Sequence, residues 1–93
     1  MIKTFDDIEA EKILNGDSSK KFNNIQKIIK RKLDMIHYAF SENDLRVPPA
    51  NHYEHLKGDL KGFSSMRIND QYRVVFKFED GFVYNVRIMD YHK

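Results

Sequence analysis

Six side chains in the second half of the sequence could do chemistry together: Lys57 in "LKGD", Arg67 and Arg73 in "SMRINDQYRVVF", and Asp90, Tyr91 and His92 in the terminal "MDYHK". Two or three fixed cations with one histidine and one tyrosine suit the cleavage of RNA by its own 2′-hydroxyl. That reaction needs a base for the hydroxyl proton, cations for the phosphorane charge and an acid for the departing oxygen. No metal is required. An aromatic face such as Tyr91 can stack a splayed-out base. The competing reading is plain: Lys and Arg also decorate the exposed faces of inert sheets.

Other chemistries are excluded or disfavoured by what the chain lacks. It has no cysteine, which removes disulfides, thiol catalysis and thiolate metal ligands together. There is no nucleophile elbow with a Ser-His-acid order and no glycine-rich phosphate loop before a helix. His52 and His55 are three apart but follow Pro48-Pro49 in a loop, so no metal site is expected there. With His37, on the polar side of a helix, they read as solvent-facing. No cofactor is called for.

The elements that must hold the six residues can be read from periodicity. "MIKTF" is a short first strand with Ile2 and Thr4 on one face. Asp6 or Asp7 then caps a first helix that stops near Asn15-Gly16. A second helix, capped by Asn23 or Asn24, carries Ile25, Ile28, Ile29, Leu33, Ile36 and Phe40 at spacings of three and four. Pro48-Pro49 marks a connecting loop with a short extended end. Strands follow over 63–68, from Tyr72 to Phe78, and over 82–89, with Glu79-Asp80-Gly81 closing a hairpin. This order predicts an α+β domain spanning 1–93, with two N-terminal helices on one face of a small, mostly antiparallel twisted sheet and the other face open.

Strand parity then places the chemistry. If Tyr72, Val74 and Phe76 face the helices, Arg73 points to the open face, and Arg67 takes the same reading one strand earlier. Lys57 sits where a turn enters the sheet, next to Gly58, where a ligand can approach the backbone. A last strand buried through Phe82, Tyr84, Val86 and Ile88 would fix the tail over the same concavity.

Net charge is a mild +2, but Lys20, Lys21, Lys27, Lys30, Arg31 and Lys32 precede the first acid of their segment, Asp34. Such a stripe attracts phosphate backbones by counterion release, or is the solvated face of an amphipathic helix. No apolar stretch approaches the roughly 20 residues of a membrane span, and the early charge does not read as a signal peptide. A cytosolic address is expected.

Taken together, "LRVPPAN", "LKGD", "SMRINDQYRVVF" and "DYH", with "MIKTF" and "EKILNG" at the start, resemble the HigB toxins of the RelE/ParE superfamily, the killer halves of bacterial toxin–antitoxin modules. The resemblance covers nearly the whole chain. It implies a small α/β RNase fold that enters the ribosomal A site and cuts mRNA without a metal. The implied silencing partner is a helix-turn-helix HigA antitoxin, with which the toxin can join in repressing their own operon.

Carried over by position, the resemblance implies Lys57 and Arg73 as phosphate and transition-state ligands. His92 becomes the proton-transfer group, Tyr91 a stacking or orienting group, and Asp90 their positioning partner, with Arg67 a further basic candidate. Lys27, Lys30 and Arg31 are the expected contacts with ribosomal RNA. One position departs from the pattern: where some HigB toxins have a histidine three residues before the "LKGD" lysine, this chain has Glu54. The base stays open among Lys57, Asp90 and no group of conventional pKa. Two alternatives share the fold, a ParE-type gyrase poison and a catalytically lapsed co-repressor that only binds its antitoxin.

Overall fold

The structure, a computed structural model, describes residues 1–91. Helix α1 spans Ile8–Leu14, and the Asp7 carboxylate caps it by accepting from the Glu9 N–H at 2.9 Å. Glu9 and Glu11 in its first turn suit the positive end of the helix dipole. The connection to the second helix is pinned rather than loose: Ser19 donates to Glu9 at 2.6 Å and accepts from the Phe22 N–H at 3.2 Å. Phe22 is thereby buried, with its ring edge-on to Tyr72 at 5.3 Å.

Helix α2 spans Gln26–Tyr38 and buries Ile29, Leu33 and Ile36, as its period requires. Its ends differ from expectation. The N-cap is Ile25, without a side-chain cap, and Asn23 and Asn24 lie in the preceding turn. Ala39 leaves the helix with extended backbone (φ −70°, ψ 136°), so Ala39 is buried in the place expected of Phe40, which is 91% exposed.

Four antiparallel strands follow, β1 (Glu54–His55), β2 (Ser64–Arg67), β3 (Tyr72–Glu79) and β4 (Phe82–Asp90), hydrogen-bonded in that order. Asp80 and Gly81 both take positive φ (51° and 83°), the two-residue turn whose twist matches a β-hairpin. The helices cover the face carrying Met66, Val74, Phe76, Val83 and Val86.

Strand β4 is not regular. Val75 opposes Arg87 while Lys77 opposes Tyr84, so β4 holds one extra residue, and Asn85 adopts φ 58°. Such a bulge shifts the alternation of everything beyond it. Val83 and Val86, three apart, are both fully buried, whereas Phe82 is exposed and Tyr84 only half-buried. The expected inward set of Phe82, Tyr84, Val86 and Ile88 is therefore half right.

The N-terminal segment explains why the bulge is tolerated. It is not a regular strand but lies parallel to β4 through bridges at Ile2–Val83 and Phe5–Val86. Between them Thr4 Oγ1 accepts from the Asn85 N–H at 2.8 Å and the Asp6 carboxylate from its side-chain amide at 3.0 Å. Thr4 is exposed rather than sharing the face of Ile2. His37 is not simply solvent-facing, since its Nδ1 accepts from the Ile2 N–H at 3.1 Å.

The 39–53 connection is ordered by buried polar groups, which cost free energy unless paired. Asn51 donates to the carbonyls of Leu45 and Val47 at 3.1 and 3.3 Å and accepts from Lys32 at 2.6 Å. Burial, then the nearby Arg31 and Arg67, hold the Lys32 amine below the usual lysine range. Tyr53 donates to Glu42 at 2.6 Å and lies 2.9 Å from the Ser64 hydroxyl. His55 joins them, 3.3 Å from Ser64 and 3.4 Å from Glu42, so it too is engaged rather than loose in solvent. No helix among the described residues is long and apolar enough to cross a membrane.

Candidate active site

Directly paired residues on neighbouring strands share a sheet face. Glu54 pairs with Ser65, Ser65 with Val75 and Val75 with Arg87; Arg67 pairs with Arg73 and Arg73 with Met89. All of these lie on the open face, opposite the helices. The β4 bulge is what brings Arg87 and Met89 there, with Tyr91 two residues on.

Arg73 is the best-fixed member, with its side chain only 13% exposed. Its Nε donates to Ser65 Oγ at 2.8 Å and its Nη2 to the His52 carbonyl at 2.5 Å. The same Nη2 lies 3.9 Å from Glu54 Oε2. An arginine offers five N–H groups in a rigid fork, and these contacts engage the Nε and Nη2 side, leaving Nη1 for an anion. The guanidinium also lies over the Tyr91 ring, 5.5 Å from its centroid.

Arg67, opposite Arg73, is ion-paired with Asp70. The Asp70 carboxylate first, and the Tyr91 hydroxyl second, push the Arg67 pKa up from its already high range. The Tyr91 hydroxyl also reaches the Asn69 carbonyl at 3.3 Å, and its N–H donates to the Gln71 carbonyl at 3.1 Å. Between these residues lies a small cavity of about 120 Å³. Leu56, Leu60, Val75 and Met89 give it apolar walls, and Ser65, Arg73 and Tyr91 supply its polar atoms. Two larger hollows, about 620 and 430 Å³, lie along the lysine- and asparagine-rich 18–28 segment. They hold no comparable cluster of fixed groups, so size does not locate the chemistry.

The remaining sequence-expected residues are placed less uniformly. Lys57 is exposed and begins the short turn Gly58–Leu60, flanked by cavity residues Leu56 and Leu60. Gly58 takes φ 64°, a left-handed conformation that glycine adopts without strain. Asp90 pairs with Tyr72, on the parity of the helix-facing residues, and its carboxylate accepts from Gln71 at 2.9 Å. It is thus one step out of phase with Met89 and Tyr91. His92 lies outside the described residues. Lys27 and Arg31 are exposed on α2 and Lys30 is paired with Asp34 at 2.6 Å, all on the layer away from the open face. Among the described residues no three of His, Asp and Glu converge as metal ligands.

Sequence reasoning missed Phe63, Lys77 and Arg87. Lys77 Nζ sits 4.9 Å and the Arg87 guanidinium 6.0 Å from the Phe63 ring centroid. The buried Arg87 Nε has no hydrogen-bond partner among the described residues. The signal for Arg87 was present but hidden by the bulge, because plain alternation along β4 does not reveal the shift.

Comparison with known proteins agrees with this architecture. Residues 3–92 match the family described as the RelE-like toxin of type II toxin–antitoxin system HigB. Toxin HigB-1 of Vibrio cholerae serotype O1 is 39% identical over 100% of this chain and 99% of its own length. The YoeB–YefM toxin–antitoxin complex of Staphylococcus aureus contains a chain of similar fold, at TM-score 0.63 and 25% identity, over 100% of this chain and 97% of that one. YafQ of Escherichia coli has the same fold at TM-score 0.64 and 14% identity, over 97% and 91% of the two chains. The chain belongs to the HigB family of RelE-like toxins of type II toxin–antitoxin systems.

Proposed function

We propose that this toxin is a ribosome-dependent endoribonuclease that cuts mRNA in the A site. The observation that carries the reading is Arg73, fixed by Ser65 and His52 beneath the Tyr91 ring with Arg67 opposite it. A buried, preorganised guanidinium can stabilise the charge that develops on a pentacoordinate phosphate without reorganising during the reaction. Lys57 adds positive charge from the rim, the exposed face of Tyr91 stacks a base, and His92 protonates the departing oxygen. Asp90 positions the tail through Gln71. No step calls for a metal ion.

So few acid–base groups suit an enzyme that borrows its substrate geometry. The ribosome splays the A-site codon, and holding reactants in line can be worth several kcal/mol, up to about 7–11. The exposed cations Lys27 and Arg31, with Lys30, contact ribosomal RNA during docking and leave cleavage to the opposite face. Family membership supports an antitoxin partner; a helix-turn-helix antitoxin of the HigA type would neutralise the toxin and carry the pair to operator DNA. The cation-lined open face favours the nuclease over a gyrase poison of similar fold.

Mapping mRNA 5′ ends after brief induction, with and without the antitoxin gene, tests the reading. Cuts in register with translated codons, suppressed by the antitoxin, are expected. Rapid, frame-independent cutting of naked RNA by the purified protein would overturn ribosome dependence, and absence of cuts would overturn the nuclease.

A further inference from the structure

We propose that Glu54 is a catalytic residue, the proton acceptor of the cleavage reaction, which takes the 2′-hydroxyl proton of the nucleotide whose phosphate Arg73 binds. This deepens the nuclease reading and rests on it.

The placement is set by the backbone. Glu54 pairs with Ser65, which pairs with Val75, so its side chain shares the open face with Arg73. Its Oε2 lies 3.9 Å from Arg73 Nη2. That is longer than a hydrogen bond, so the carboxylate is close to the guanidinium without being consumed by it. Its side chain is 59% exposed, so RNA can reach it, whereas Arg73 is nearly buried and held from two other directions. The 2′-oxygen and the phosphate it attacks belong to one nucleotide. A base and a phosphate ligand a few ångströms apart are therefore spaced as the reaction needs.

The other proton acceptors are directed elsewhere. His55 faces inward, to Ser64 and Glu42. Asp90 accepts from Gln71 on the opposite parity. His52 holds Arg73 through its carbonyl, not its ring. The charged group that the packed strands set against Glu54 is Arg73, which stays cationic throughout the working pH range.

In the step itself, the 2′-O–H proton passes to a Glu54 carboxylate oxygen as the 2′-oxygen bonds to phosphorus. The P–O5′ bond breaks, and the 5′-oxygen takes the proton from the acid assigned to His92. The products are a 2′,3′-cyclic phosphate and a 5′-hydroxyl, and the proton on Glu54 returns to water.

The experiment compares Glu54→Gln and Glu54→His with the parent in single-turnover cleavage of ribosome-bound mRNA across pH, with ribosome affinity measured alongside. Glu54→Gln keeps a polar group near Arg73 but loses the proton acceptor; a loss of at least about a hundredfold at unchanged affinity is expected. Glu54→His should regain part of the rate near neutral pH and move the acid limb of the profile up by about 2 pH units, from the carboxylate to the imidazole range. Glu54→Gln cleaving within about threefold of the parent, or an acid limb that does not move in Glu54→His, would leave Glu54 as a mere neighbour of Arg73 and overturn the proposal. A parent that does not cut ribosome-bound mRNA would remove the nuclease reading and this inference together.

Discussion

Arg67 and Arg73 stand directly opposite each other on adjacent strands, two like charges in a position where like charges destabilise a sheet. Each is compensated from outside the pair, Arg67 by Asp70 and Arg73 by Glu54. A fold that needed only stability would not place them so. The pair reads as a cradle for an anion, with stability given up at a site that does something else.

That arrangement separates function from stability in a measurable way. Arg67→Thr, removing the repulsion and adding a β-branched residue on a strand, should leave unfolding free energy unchanged or raise it by up to about 0.5 kcal/mol. Arg73→Gln should instead lose stability, by about 1–3 kcal/mol, because Ser65 and the His52 carbonyl lose their donor. Both should depress mRNA cleavage, Arg73→Gln by more. Chemical denaturation and cleavage of ribosome-bound mRNA, run on the same preparations, check the pattern.

Tyr53 supplies a pH test of the other side of β1. Burial first, and the hydrogen bond to the Glu42 carboxylate next, push its hydroxyl up to about 12, against about 10 in an unfolded chain. The folded state therefore prefers the neutral phenol. Its stabilisation is complete below about pH 10 and is lost as pH rises towards 12, where the unfolded chain ionises first. Tyr53→Phe should cost about 1–2 kcal/mol at neutral pH by leaving Glu42 and Ser64 without their partner. It should also unfold less steeply than the parent between about pH 10 and 12. Alkaline titration of the unfolding midpoint for both proteins gives the comparison.

How far the sequence reveals this molecule depends on which physics set each feature. Helix α1 was legible because one carboxylate cap and one stop signal bound it, and α2 because Ile29, Leu33 and Ile36 repeat at helical spacing. Arg67 and Arg73 were legible from the two-residue period of β2 and β3. Phe40 misled because the stripe says nothing about where the backbone leaves the helix. Asn51 and Tyr53 were illegible as buried residues, since their burial is paid by partners distant in sequence, Lys32 and Glu42 among them. The inward face of β4 was misread because a single left-handed residue, Asn85, resets its alternation. Glu54 stood out in the sequence only as a departure, and its proximity to Arg73 needed the register of β1.

The bulge makes its own prediction. Asn85 has φ 58°, which glycine adopts freely, asparagine tolerates and β-branched residues avoid. Asn85→Gly should fold with nearly parental stability, losing only the amide contacts to Asp6. Asn85→Val should cost about 1–3 kcal/mol. Deleting Asn85 would restore regular alternation, turning Arg87, Met89 and Tyr91 towards the helices, and should abolish cleavage even where a folded fraction survives. Circular dichroism melts and cleavage assays of the three variants distinguish these outcomes.

Tyr91 carries the last test, because its two faces are unequal. One is covered by the Arg73 guanidinium, and the ring is 41% exposed overall, so a base can stack only from the other side. Tyr91→Ala removes the stacking surface and uncovers Arg73. Loss of base stacking alone, worth about 1–3 kcal/mol, corresponds to roughly five- to a hundred-and-fifty-fold in cleavage. Tyr91→Phe keeps the ring and loses only the hydroxyl contacts to Asn69 and Arg67, so it should stay within about threefold of the parent if stacking dominates. Removing residues 91–93 should abolish cleavage while the domain stays folded, since β4 is anchored by Val83 and Val86 and paired through Asp90 to Tyr72. Each variant is compared at matched thermal stability and ribosome affinity. A Tyr91→Phe protein as impaired as Tyr91→Ala would shift the role from the ring to the hydroxyl, and a folded, truncated protein cutting at the parental rate would show that cleavage needs neither Tyr91 nor the residues after it.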